Sequence, residues 1–125
     1  MGGGAGSVWS SSLERIGDVV VVFVGGEIDL DTAPKLERVL AGLPRAQPVI
    51  VDCSRVEYFD LAGVHVLEHL YARSAVRRSI VLADLPPHVR RVLELAGLTR
   101  TLRVAATVDE ALAMLGAGAE SDETD

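Results

Sequence analysis

The chain of 125 residues contains few of the groups from which most catalytic and redox sites are built. Cys53 is its only cysteine and Lys35 its only lysine. A single cysteine cannot form an intramolecular disulfide, and the apolar run around Cys53 predicts a small buried side chain, so a reducing cytoplasm suits the chain best. The sequence has no phosphate-binding Gly-x-x-x-x-Gly-Lys-Ser/Thr loop, which argues against nucleotide hydrolysis.

Aromatic residues and long apolar runs are also scarce. Phe, Trp and Tyr together make up 4% of the chain, so we expect a core of Val, Leu, Ile and Ala. The longest apolar run, Val19–Val24, is far too short to span a bilayer. The amino-terminal stretch lacks the basic and apolar regions of a signal peptide. Neither membrane insertion nor secretion is therefore expected.

Negative charge is concentrated near the end of the sequence. The formal net charge is −6 at pH 7, and the last six positions include four acidic residues, Glu120, Asp122, Glu123 and Asp125. The rest of the chain is close to neutral and has no basic stripe with interleaved aromatic residues. Because binding to a phosphate backbone requires such a positive surface, nucleic-acid binding is not expected. A regulatory and a purely solubilising role of the acidic segment both stay open.

Alternating strand and helix patterns predict one α/β domain over residues 13–115. Residues 1–12 are rich in Gly and Ser and predict a flexible arm, and residues 116–125 predict an acidic disordered tail. Strands separated by helices imply parallel neighbours joined by right-handed crossovers. The predicted strands are Val19–Ile28, Val49–Cys53, Ser79–Ala83 and Leu102–Ala105, and the predicted helices begin near Pro34, Val64, Pro87 and Val108, the first of them capped by Asp31 or Thr32.

Four short segments, in this order along the chain, resemble the STAS family (sulfate transporter and anti-sigma factor antagonist). They are Gly26–Asp29, Val49–Asp52, Phe59–Val64 and Val92–Leu98. The resemblance implies a STAS-like layered α/β fold, with a mixed, mostly parallel sheet of four to five strands flanked by about four helices. It also implies a non-catalytic regulator that works by binding other proteins.

The segment around Asp60 departs from the family pattern. The corresponding loop of the family usually reads Asp-Ser-Ser/Ala-Gly, and the serine before the glycine accepts a phosphoryl group. Here Leu61 and Ala62 occupy the two central positions, so position 62 has no hydroxyl to phosphorylate. Ser54 and Thr32 are alternative acceptors, although a turn role and a helix-cap role explain them more simply.

The resemblance implies that the loop and the following helix bind an anti-sigma factor of the serine kinase type. The residues that it assigns to this surface are Asp29, Asp60, Leu61, Ala62, Gly63, Val64 and Glu68. Apolar contacts around Leu61 and Val64 would carry the affinity, with acidic residues at the rim. A structural subunit of a larger complex, such as a lipid-transport ABC assembly or a stressosome-like complex, is the alternative, and a homodimer is possible.

Two patterns suggest catalysis or metal binding. His65-Val-Leu-Glu-His69 matches the H-x-x-E-H metalloprotease signature, with Glu68 as the base. A zinc enzyme also needs a third protein ligand and a cleft, whereas these residues read as a solvated helix face, so we predict no metal, no cofactor and no enzyme activity. Asp29, Asp52 and Asp60 follow or end strands, and turn and capping roles explain them better than a carboxylate cluster.

Overall fold

The computed structural model describes residues 8–74 and 79–116. Arg77, Arg78, the first seven residues and the acidic residues of the predicted tail lie outside the described residues. Within these two ranges, five strands and four α-helices follow each other, with a 3-10 turn between the third helix and the fifth strand. They are β1 (Trp9–Ile16), β2 (Val19–Ile28), α1 (Ala33–Ala41), β3 (Val49–Phe59), α2 (Leu61–Arg73), β4 (Ile80–Ala83), α3 (Pro87–Leu95), the 3-10 turn Leu98–Arg100, β5 (Arg103–Ala105) and α4 (Val108–Met114).

The strands form one sheet in the order β1-β2-β3-β4-β5. β1 is antiparallel to β2, and the other three pairs are parallel. The mixed, mostly parallel sheet and the four flanking helices confirm the predicted α/β class. The register of the β2–β3 pair shifts by one residue after Phe23 and by one more after Gly26, so that β2 ends beside Phe59 at the end of β3.

Two apolar layers cover the two faces of the sheet. On one face, Leu36 of α1, Leu67 of α2 and Leu93 of α3 pack against the sheet in a single buried cluster. On the other face, Ala111 of α4 packs on a smaller cluster that includes Ile50. Because consecutive parallel strands are neighbours, right-handed crossovers place their connecting helices on the same face. All three crossover helices therefore share one side, and the carboxyl ends of β2 and β3 lie together at one edge.

The predicted arm over residues 1–12 extends too far along the chain, since Trp9–Ser12 belong to β1. These residues pair with the segment from Gly26 back to Phe23. The backbone carbonyl oxygen of Val8 also accepts a 2.7 Å hydrogen bond from the backbone N–H of Glu27. Serine-rich β1 has mostly exposed side chains, so hydrogen bonding to β2 holds it in place without the apolar alternation by which strands are recognised.

β3 is longer than predicted, because it continues past Cys53 to Phe59. Ser54, interpreted as a turn residue, therefore lies within the strand, and Asp52 does not end it. The thiol of Cys53 is buried as predicted, and burial, with smaller contributions from the charges of Asp52 and Asp84, raises its pKa to about 12. A thiol protonated at neutral pH is a poor nucleophile, so Cys53 acts as part of the core. Within the described ranges, no helix has the length and apolarity that crossing a membrane requires.

Candidate functional site

Two loops lie side by side at the carboxyl edge of the sheet, because β2 and β3 are adjacent parallel strands. The first connects β2 to α1 and the second connects β3 to α2. A 3.3 Å hydrogen bond from the backbone N–H of Asp60 to the carbonyl oxygen of Ile28 joins them directly. The end of β2 and the beginning of α2 therefore form one continuous surface.

Side-chain hydrogen bonds fix the first loop. The Asp29 Oδ1 atom accepts from the backbone N–H groups of Asp31 at 3.0 Å and Thr32 at 3.1 Å. The buried Thr32 hydroxyl donates to the carbonyl oxygen of Glu27 at 2.6 Å and accepts from the backbone N–H of Asp29 at 3.0 Å. Leu30, at the tip of this turn, is 81% exposed. Thus a rigid turn holds a large apolar side chain in solvent.

This geometry corrects the predicted caps of α1. Thr32 occupies the N-cap position, but its side chain makes no capping hydrogen bond to the helix. The carboxylate of Asp29 binds the backbone N–H groups of Asp31 and Thr32, which precede the helix. The first N–H of the helix, that of Ala33, donates to the backbone carbonyl oxygen of Asp29 at 2.8 Å. The Thr32 hydroxyl is buried and committed to the loop, which supports its structural interpretation over that of a phosphoryl acceptor.

The second loop is held by the predicted cap. Asp60 is the N-cap of α2, and its Oδ1 atom accepts from the backbone N–H of Ala62 at 2.9 Å. Such a cap typically stabilises a helix by about 1 kcal/mol. Leu61, between these two residues, is 64% exposed, while Ala62 is half-buried against the core. Leu61, the first residue of α2, and Leu30, on the neighbouring loop, are thus both exposed apolar side chains.

Gly63 and Val64 do not reach the surface. Val64 is only 2% exposed and belongs to the core under α2, so the expectation that it makes apolar contacts with a partner is wrong. Gly63 is also buried, and a Cβ atom there would lie 2.5 Å from the Cε1 atom of Phe59. The glycine lets the first turn of α2 sit close to β3. Both residues pack beneath the exposed residue Leu61, on the side of α2 that faces the core, because the apolar stripe of α2 begins in its first turn.

Tyr58 is a surface residue that the sequence reasoning missed. Its ring is half exposed, and its hydroxyl is hydrogen-bonded to the carboxylate of Asp60. The negative charge of Asp60 raises the Tyr58 pKa most, followed by that hydrogen bond, partial desolvation and the charge of Asp29. The raised pKa keeps the Tyr58 hydroxyl protonated to a higher pH than that of an ordinary tyrosine, and in this form it donates to the capping carboxylate. If the predicted strand had been extended to Phe59, the alternation of side chains along it would have placed Tyr58 on the exposed face, next to buried Phe59.

An open apolar groove of about 530 Å³ runs between α1 and α2 beside these loops. Exposed Leu30 forms one end of its wall. Its lining residues come from both elements: Leu30, Ala33, Pro34, Glu37, Ala62, His65, Val66 and His69. The α1 side of this groove was not predicted, because only tertiary packing brings α1 beside α2. The groove and the two exposed leucines together form a surface suited to apolar side chains of another molecule.

The histidines of the H-x-x-E-H pattern are directed to different carboxylates. The Nδ1 atom of His65 lies 3.1 Å from Glu68 on the same helix, whereas that of His69 lies 3.3 Å from Glu37 on α1. Glu37 also accepts from Arg73 at 3.0 Å, so it links α1 to α2. Among the residues that the structure describes, no group of three or more His, Cys, Asp or Glu side chains is placed to hold a metal ion.

The three aspartates suggested as a carboxylate cluster each serve a local purpose. Asp29 holds its turn and Asp60 caps α2. Asp52 is buried in β3, where its Oδ1 atom accepts from the backbone N–H of Ser54 at 2.9 Å and from its hydroxyl at 2.7 Å. Asp29, Asp60 and exposed Asp31 nevertheless give this edge of the sheet a negative rim around Leu30 and Leu61.

Comparisons with known proteins are consistent with this geometry. The family model described as "Mlab, STAS domain" matches residues 11–107. The anti-sigma-B factor antagonist of Listeria monocytogenes is 31% identical over 94 residues, covering 73% of this chain and 82% of that protein. The anti-sigma-F factor antagonist RsfB of Mycobacterium tuberculosis is 30% identical over 96 residues, covering 75% and 79%. A crystal structure of an anti-sigma factor antagonist from Mycobacterium paratuberculosis superposes with a TM-score of 0.78 at 31% identity, covering 86% of this chain and 94% of that one.

Proposed function

Because the chain belongs to the STAS domain family, we propose that it is a non-catalytic anti-sigma factor antagonist, which binds an anti-sigma factor through the β3–α2 loop and the neighbouring surface. The observation that carries this proposal is Leu61, a large apolar side chain that is 64% exposed in the first turn of α2, next to the Asp60 cap. The backbone of an exposed leucine in a capped helix turn is already ordered before a partner covers it, so most of the burial of its side chain contributes to affinity.

The binding surface has an apolar centre and a polar rim. Leu61, Leu30 and Ala62 lie at the centre, where the α1–α2 groove offers room for apolar side chains of the partner. Asp29 and Asp60 form the acidic rim, with Glu68 further along α2. Interfaces generally have this organisation, since the desolvated centre supplies affinity and the rim supplies orientation. The proposed partner is an anti-sigma factor of the serine kinase type, with a basic rim of its own.

The absence of a hydroxyl at position 62 gives this antagonist a permanently active loop. A phosphoserine there would carry about −1.5 to −2 charges at neutral pH. That charge would lie in the first turn of α2, next to Asp60 and Leu61. Like-charge repulsion and the desolvation cost would oppose a partner that covers the apolar centre. Ala62 removes this route, so the bound state persists in the presence of ATP.

The Ala62→Ser variant tests the proposed lack of switching. Incubated with the cognate anti-sigma kinase and ATP, the wild-type protein is expected to gain no phosphoryl group and to stay bound. The variant is expected to gain one phosphoryl group at position 62 and to dissociate. Intact-mass spectrometry and size-exclusion chromatography measure the two quantities. Phosphorylation of the wild-type protein by the kinase, with dissociation, would contradict the proposal and direct attention to Ser54, whose hydroxyl is on an exposed residue.

A further inference from the structure

The outer edge of β1 has the properties of a strand that can pair with another chain. In the described sheet, β1 is the first strand of the order and pairs only with β2. It is eight residues long, and its register with β2 is continuous from Trp9 to Ile16. Edge strands are usually protected by proline, lysine, a bulge or a covering element. The sequence of β1 contains neither proline nor lysine, and its charged residues, Glu14 and Arg15, lie only in its second half, after Leu13.

Apolar side chains accompany this open edge. Leu13, in the middle of β1, is 55% exposed, and exposed Val8 precedes the strand. Beside Leu13 lies a groove of about 320 Å³, to which Leu43 and Pro44 contribute after the end of α1. Within residues 8–74 and 79–116, no strand pairs with the outer backbone edge of β1. An open edge next to exposed apolar groups is the arrangement that strand addition uses, since main-chain hydrogen bonds and side-chain burial then act together.

We propose that a second copy of this chain pairs with β1 in antiparallel fashion, around a two-fold axis that passes at Leu13 perpendicular to the sheet. In this register each Glu14 lies opposite Ser12 of the second copy, and each Arg15 lies opposite Ser11. An axis at Glu14 or Arg15 would place two like charges directly opposite each other, which destabilises a strand pair. An axis at Leu13 instead packs the two exposed leucines against each other.

The proposed dimer continues the sheet from one copy into the next. An axis perpendicular to the sheet keeps the α1–α3 layers of both copies on the same side, so the grooves beside the two Leu13 side chains become neighbours. Because the paired β1 strands run in opposite directions, the carboxyl edges of the two sheets face opposite ends of the dimer. The surface around Leu61 stays accessible in both copies, so this inference does not depend on the proposed function.

Sedimentation equilibrium of the full chain and two matched variants tests the dimer. The mass of the wild-type protein is expected to rise from that of a monomer to that of a dimer between about 1 and 500 μM, as mass action requires. Leu13→Glu is expected to stay monomeric over that range. Leu95→Glu, at a leucine that is 80% exposed on α3, is expected to behave as the wild type. A monomeric wild type at every concentration, or a dimer that Leu13→Glu leaves unchanged, would overturn the proposal.

A cysteine at position 13 tests the axis itself. The only native cysteine, Cys53, is buried and has a raised pKa, so it does not compete for oxidation. In the Leu13→Cys variant the axis places the two new thiols opposite each other, within the range of directly opposed strand residues. Mild oxidation is expected to convert most of this variant to a covalent dimer and to leave Leu95→Cys largely uncrosslinked. Equal crosslinking of the two variants would contradict the assigned axis.

Discussion

The Leu61→Asp variant is expected to bind the cognate anti-sigma factor at least about 30-fold more weakly than the wild type, a loss of 2 kcal/mol or more. The change removes an apolar side chain from the centre of the proposed interface and places a charge beside Asp60. Burial of that unpaired charge against a partner is costly. Because Leu61 is 64% exposed, its replacement leaves the core of the free protein intact. Isothermal titration calorimetry measures the affinity.

Leu95→Asp is the matched control for this change. Leu95 is 80% exposed and lies at the end of α3, outside the proposed surface. The same substitution there is expected to leave the affinity within about twofold of the wild type, which is the usual range for a residue outside an interface. Thermal unfolding of both variants shows whether either is destabilised. Equal affinities of Leu61→Asp and wild type, with both folded, would remove this loop from the interface.

The Gly26→Ala variant is expected to lower the free energy of unfolding by about 2–4 kcal/mol, because two costs act at one position. Gly26 has a φ of +82°, in the left-handed region where an alanine is strained. An added Cβ would also lie 2.3 Å from the carbonyl oxygen of Val8 and 2.8 Å from the Cα of Trp9. Both contacts are with backbone, so β1 must move away from β2. Urea unfolding followed by circular dichroism measures the loss.

Gly97→Ala separates the two costs. Gly97 has almost the same φ, +80°, but an added Cβ would meet nothing within 4 Å. Its replacement is therefore expected to cost only the backbone strain, about 1–2 kcal/mol. A loss at Gly26 no larger than that at Gly97 would show that β1 is not packed closely against Gly26. The proposed dimer edge would then need to be reconsidered as well.

The parts of the fold that the sequence predicted well are those with concentrated apolar residues. The run Val19–Val24 is buried on both faces of the sheet except at Phe23, and such runs need no context to be recognised as strands. β1 was missed because only its end residues, Trp9 and Ile16, pack against the core. The serine-rich stretch between them is mostly exposed and leaves no apolar alternation. The second half of β3 was missed for a related reason. Its residues Ser54, Arg55 and Glu57 are polar and exposed, so no continuous apolar run marks this part of the strand.

The site was predictable where it depends on local chemistry. The Asp60 cap was predictable because Asp60 directly precedes a predicted helix. The absence of a hydroxyl at position 62 can be read directly from the sequence. The prediction placed Val64 at the surface. The same residue begins the apolar stripe of α2, and in the structure its side chain is buried in the core. Leu30 and Tyr58 were not predicted. They belong to this surface only because β2 and β3 are neighbouring strands. The spacing of motifs along the sequence does not show which strands are neighbours.

The most direct test of the antagonist function measures sigma-factor release. A preformed complex of the cognate anti-sigma kinase with a labelled sigma factor is mixed with one equivalent of this protein and ATP, and fluorescence anisotropy follows the label. The account predicts that the anisotropy falls to the value of free sigma factor and stays there while ATP is present, because Ala62 cannot be phosphorylated. A sigma factor that remains bound would contradict it, and stable association of this protein without release would favour a structural subunit instead.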